Sequence, residues 1–117
     1  MKRDNELLRS LLIEVEEHPH DYVAIASDLS DIEAMRRHYH AELLCDAGLM
    51  REVGRDVFRL THAGHDFIEA ARNEGIWQKT MDTVATAGGN ATLGIVKEIL
   101  LCFLKEQIKD KTGVDIR

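Results

Sequence analysis

Between Ser30 and Gly64 the chain is punctuated so closely that few folds can accommodate it. Ser30-Asp31-Ile32-Glu33 reads as a capping box, a hydroxyl for one orphan amide and a carboxylate three residues on for another. The helix behind it carries Ile32, Met35, Tyr39, Leu43 and Leu44 on one face. Gly48, after Ala47, predicts a left-handed helix stop with Leu49 packing back on the last turn. Two β-prone runs, residues 49–53 and 57–60, then flank Gly54-Arg55-Asp56, where glycine is expected to supply the positive φ of a hairpin turn. Thr61 caps the next helix, with Phe67, Ile68 and Ala71 inward and an end near Gly75.

The flanking segments are helical. In residues 4–17, Leu7, Leu8, Leu11, Leu12 and Val15 share one face, Asp4 caps the start and Pro19 lies past the end. Within residues 18–29 only Tyr22, Val23 and Ile25 suggest a short strand. Residues 76–87 form a helix with Ile76, Trp77, Met81, Val84 and Ala85 apolar. Gly88-Gly89-Asn90 is a hinge, and a last helix spans residues 92–109. The order of elements is that of a winged helix: two amphipathic helices cover one face of a small antiparallel sheet, and the hairpin projects as a wing. We therefore expect a mainly α protein with a small β-hairpin wing (α+β). Its parts are a winged-helix-like domain over residues 1–75, a C-terminal helical extension over 76–109 that packs on it or forms a dimer interface, and a polar tail over 110–117. One departure is visible: the helix that normally supports the second, recognition helix is missing or vestigial.

With 117 residues, 44% of them apolar, the chain can bury a core and is not disordered. No apolar run approaches the roughly 18 residues of a membrane span. The opening Met1-Lys2-Arg3-Asp4 lacks a signal peptide's apolar stretch, so a cytoplasmic protein without membrane contact is expected. Cys45 and Cys102, both inside apolar helical pattern, are expected to be buried reduced thiols. The net charge of −6 speaks against a general nucleic-acid coat. That charge is uneven, however: residues 1–32 carry a net −5, residues 33–60 are neutral and residues 61–117 carry −1.

All bases of the neutral middle segment are arginines. Arg36 and Arg37, with His40, are placed on or near the exposed face of the candidate recognition helix, and Arg51, Arg55 and Arg59 on the wing. Arginine suits bidentate contact with guanine edges and phosphates. The same arginines could instead pair with neighbouring acids, Glu33 with Arg37 at i+4 for one. The last helix has an apolar arc wider than the roughly 100° needed to dock on one core. Either the domain wraps it, or Leu93, Val96, Ile99, Leu100 and Phe103 form a homodimer interface, which would set two recognition helices on a palindromic site.

Enzymatic chemistry finds no motif. His38 and His40, at i and i+2 on a helix, point about 200° apart and do not share a metal. His62 and His65, with Asp66, could converge, but zinc wants three or four ligands and no cysteine pair stands at ligand spacing. The serines lie in no nucleophile elbow, and Gly88-Gly89 lacks the Lys-Ser/Thr of a phosphate loop. We expect no enzyme, no cofactor and no metal. Two functions remain open: a DNA-binding transcriptional regulator acting on double-stranded DNA, or a protein-interaction adaptor on the same scaffold without nucleic acid.

Leu60-Thr61-His62-Ala63-Gly64 resembles the L-T-x-x-G that often follows the wing in bacterial winged-helix regulators. A wider set of residues resembles a bacterial and prophage family designated as a domain of unknown function. These are Met1-Lys2-Arg3-Asp4, Ala47-Gly48-Leu49, Leu60-Thr61-x-x-Gly64-His65-Asp66-Phe67, Ile76-Trp77, Gly88-Gly89 and Val96-Lys97-Glu98. The resemblance covers about residues 1 to 108. It implies a winged-helix-like fold and a bacterial or phage source, and it implies no activity.

Overall fold

A computed structural model describes residues 1–89 and 91–116. Asn90 of the expected hinge and Arg117 of the tail lie outside the described residues. The chain divides into two units, Met1–Ile68 and Glu69–Arg117, the boundary falling inside a helix.

In the first unit Asp4 caps α1 (Asn5–Glu17), its carboxylate accepting from the amides of Glu6 and Leu7 at 2.9 and 3.2 Å. Leu8, Leu11, Leu12 and Val15 are buried along one helical stripe, each worth about 1.5–3 kcal/mol of transfer free energy. β1 (Val23–Ala24) is the one regular element between α1 and α2 (Ile32–Asp46) among the described residues, so no second helix stands there to support α2. The hairpin of β2 (Met50–Gly54) and β3 (Val57–Leu60) completes an antiparallel sheet of order β1-β3-β2. Met50, Phe58 and Leu60 enter the core. Arg51 and Arg59 stand opposite one another across the strands, on the alternate face.

Two local signals behave as their chemistry dictates. Gly48 takes φ 79°, and the amides of Gly48 and Leu49 return to the carbonyls of Cys45 and Leu44 at 3.0 and 2.9 Å, closing α2 with Leu49 buried. Thr61 Oγ1 accepts from the Gly64 amide at 3.0 Å and donates to the Gly48 carbonyl at 2.6 Å, starting α3 (His62–Ala71). Gly64 then lies so close to the chain at Leu49 that a Cβ would run into the Leu49 carbonyl oxygen.

Other local expectations shift. The cap of α2 is Asp31, not Ser30: its carboxylate accepts from Glu33 and Ala34 at 3.0 and 3.2 Å, while Ser30 donates its hydroxyl to Asp28. A charged acceptor at a helix N-terminus outcompetes a hydroxyl one residue earlier. The buried face of α2 is His40, Ala41 and Leu44, whereas Ile32 is 73% exposed and Tyr39 also faces solvent. The hairpin's positive φ falls on Asp56, at 58°, not on Gly54, and the register slips between Glu52 and Gly54, leaving Val53 as a bulge. Tyr22 is exposed, and Ile25 is buried just past β1. α3 stops at Ala71, short of Gly75.

In the second unit Asn73 caps α4 (Glu74–Thr86), and Thr92 caps α5 (Leu93–Thr112), which runs past residue 109 to a left-handed Gly113. Asn73 donates to Gln107, and Lys79 lies 6.0 Å over the Phe103 ring, so α4 and α5 run antiparallel. Gly88 and Gly89, at φ 90° and 75°, make the reversal between them. Among the described residues no helix is long and apolar enough to cross a membrane.

Candidate nucleic-acid interface

The six residues expected to contact nucleic acid fall into two groups with opposite circumstances. On α2, Arg36 pairs with Asp4, and Arg37 pairs with Glu14 at 2.7 Å, rather than with Glu33. Both arginines thus fasten α2 to the acidic α1 segment. Burial alone pushes the Asp4 carboxyl up. The Leu7 amide, the Arg36 guanidinium and the Glu6 amide together outweigh that effect and hold it below the ordinary aspartate value. His40 is not on an exposed face at all: it is wholly buried. Its Nε2 accepts from the Asp4 amide at 2.9 Å and its Nδ1 donates to the Arg36 carbonyl at 2.8 Å, so its partners fix one tautomer. A buried imidazole with both nitrogens engaged joins α1 to α2 and has nothing left to offer a base edge.

On the hairpin, two of the three arginines are free among the described residues. Arg51 and Arg55 are exposed and have no hydrogen-bond or ion-pair partner among the described residues. Arg59, half-buried, donates to the adjacent Leu60 carbonyl at 3.0 Å. It lines a cleft of about 380 Å³ with His18, His20 and His65. Like charges facing each other across two strands cost stability in the free protein, and Arg51 opposite Arg59 is such a pair. A phosphate between them would remove that cost.

The expected dimer residues are also divided. Val96 and Leu100 are fully buried within one chain, so neither is available to a second copy. Leu93, Ile99 and Phe103 are half-buried, and Ile95, beside them, is the exposed large apolar side chain of α5. Only the stripe of Val96 and Leu100 is fully buried, so the apolar arc of α5 is wider than the face its own unit covers.

The cysteines are free, but not uniformly buried: Cys102 is exposed, and Cys45 is half-buried. Burial, then the negative charges of Glu52 and Asp46, push the Cys45 thiol up. Cys102 is therefore expected to react with iodoacetamide at pH 8 about tenfold faster than Cys45. Peptide mass spectrometry after timed alkylation measures this, and equal rates would contradict the placement of the two thiols.

Sequence reasoning misses one constellation. His38 Nε2 lies 3.0 Å from Asp56 Oδ1, and His38 Nδ1 lies 3.2 Å from Glu42 Oε1. The Asp56 amide donates to Glu52 Oε2 at 3.0 Å. One donor atom each from His38, Glu52 and Asp56 lies within 4.8 Å of the others. The sequence signal is present: His38 and Glu42 are one turn apart on α2, and Glu52 and Asp56 straddle the hairpin turn. What sequence does not supply is that these two pairs face each other. His62 and His65, by contrast, part company, His62 toward Asp66 at 3.7 Å and His65 toward Glu16 at 3.5 Å.

The model of one protein family matches residues 2–90, which takes in the first unit from its second residue on and α4. The chain belongs to the family described as "Hypothetical protein (DUF2513)". A protein of Haemophilus influenzae (strain ATCC 51907 / DSM 11121 / KW20 / Rd), titled "Uncharacterized protein", is similar to it. The two are 22% identical over 117 residues, spanning 92% of this chain and 99% of that protein. No solved structure matches the chain. The DUF2513 match includes the free hairpin arginines and the His38 cluster, and it ends before α5.

Proposed function

We propose that this chain is a binding protein, not an enzyme, and that it holds double-stranded DNA through the phosphate backbone with its β2–β3 hairpin, on a winged-helix-like scaffold. The observation that carries this reading is the contrast in charge state: Arg36 and Arg37 are ion-paired, whereas Arg51 and Arg55 are exposed without partners among the described residues. The helix–strand–helix–hairpin order with sheet order β1-β3-β2 supports the scaffold. Without a supporting helix, and with His40 buried, α2 is poorly furnished to read the major groove. The wing leads, and the preference is for backbone over sequence.

Fluorescence anisotropy with a labelled duplex, titrated from low to high salt, tests this. Arg51→Ala with Arg55→Ala is expected to weaken binding about tenfold or more. The salt slope should fall by about 0.9 for each phosphate that the double variant no longer neutralises. Arg37→Ala should change affinity less than about twofold, since its charge is already neutralised. No binding at low salt, or equal damage from Arg37→Ala, would sink the proposal.

A second reading, an adaptor that binds protein, is favoured by one observation. Leu29, in the turn before α2, is 89% exposed and Ile32, its first residue, 73% exposed, an uncommon display of large apolar side chains. A failed DNA titration, together with a protein partner that Leu29→Ser no longer binds, would favour the adaptor.

A further inference from the structure

The imidazole of His38 is clamped between two carboxylates, one on each nitrogen, at 3.2 Å from Glu42 and 3.0 Å from Asp56. Its side chain is only 17% exposed and its ring stands edge-on to Phe58, with centroids 6.1 Å apart, so it has little room to turn away. A neutral imidazole has one N–H and cannot donate to both carboxylates. If Nδ1–H serves Glu42, the Nε2 lone pair and an Asp56 carboxylate oxygen, both acceptors, lie 3.0 Å apart, and a shared proton or a cation bound beside the N–O axis is what reconciles them. A carboxylate on the outer nitrogen of a histidine, aiming the other nitrogen, is how metal-ligating histidines are held.

The spacing agrees. Two ligand atoms each about 2.1 Å from a zinc ion are about 3.0 to 3.4 Å apart in octahedral to tetrahedral geometry. The His38–Asp56 separation already falls there, and the exposed Glu52 carboxylate, which accepts from the Asp56 amide, has its ligand atom within 4.8 Å of the other two. We propose that His38 Nε2, Asp56 and Glu52 bind a divalent first-row transition cation of the zinc class, with Glu42 as the outer carboxylate. The nitrogen ligand selects this class over calcium and magnesium, which take oxygen. Bound there, the ion clips the tip of the hairpin onto α2 and fixes the wing. This inference stands whether or not the wing contacts DNA.

Calorimetric titration of the full chain with zinc chloride tests it, with calcium chloride as comparison. Zinc is expected to bind at one equivalent per chain and calcium not measurably. His38→Gln and Asp56→Asn, which keep the shape of the side chains, should each weaken zinc about a hundredfold. Glu42→Gln, acting through the ring, should cost about tenfold. His62→Ala should change nothing, because His62 lies outside the cluster. Circular dichroism confirms that each variant is folded, and X-ray absorption on the zinc-loaded protein should show one nitrogen among oxygen neighbours. No zinc binding, or binding equally strong in the His38 and Asp56 variants, would overturn the proposal and assign any zinc to the surface histidines.

Discussion

Gly64→Ala is expected to destabilise the protein by about 2–4 kcal/mol, although alanine is the better helix former by about 1 kcal/mol. The reason is steric and lies in the fold. A Cβ at this position meets the carbonyl oxygen of Leu49, a backbone atom held by the closing turn of α2. That turn cannot simply give way, because the Leu49 carbonyl accepts from the Thr61 amide at 3.1 Å. Relieving the clash means moving α3 away from the α2–β2 junction and loosening buried Phe67 and Ile68. Against a total stability of about 5–15 kcal/mol the loss is large, and the midpoint of thermal unfolding should fall by about 10–20 °C. Gly94→Ala is the matched control. It lies in the first turn of α5, its nearest neighbour, Thr92 Oγ1, is at ordinary contact distance of 3.8 Å, and it is expected to gain about 0.5–1 kcal/mol. Urea denaturation of the two variants would refute the argument if Gly64→Ala proved neutral.

His40→Ala should cost about 3 kcal/mol. The substitution removes a wholly buried ring and strands the Asp4 amide, whose acceptor is His40 Nε2. It also removes one tie between the start of α1 and the middle of α2, leaving the Asp4–Arg36 ion pair beside it. His40→Gln returns an acceptor in roughly the same place and should recover part of the loss. Arg37→Ala, which breaks an exposed ion pair with Glu14, should cost no more than about 1 kcal/mol. The ordering of these three, read by urea denaturation, separates a structural histidine from a contact residue. If His40→Ala left stability unchanged while abolishing DNA binding, the buried placement would be wrong and the groove-reading role restored.

Signals whose partners lie within about four residues were legible from the chain alone. Asp4 and Thr61 as caps, Gly48 as a stop, the hairpin at Gly54-Arg55-Asp56 and the reversal at Gly88-Gly89 all depend on neighbouring backbone. Even the local errors were small: the cap of α2 moved by one residue, from Ser30 to Asp31, and the positive φ moved from Gly54 to Asp56.

The site was less legible, because each decision in it is made across the sequence. Arg36 and Arg37 are neutralised by acids at the cap and within α1, and buried His40 is satisfied by an amide 36 residues away. Periodicity placed Ile32 and Tyr39 inward on apolarity, yet the sheet and α1 press on the face carrying His40, Ala41 and Leu44 instead. A polar residue can hold a core position when distant partners satisfy it, and no helical-wheel argument contains those partners. The order of the elements and most of their ends are written in local chemistry, since caps and glycine turns act through adjacent amides. Which arginines are free among the described residues, which histidine is core and that His38 meets Asp56 follow from packing, because those outcomes are set by which faces the sheet brings together.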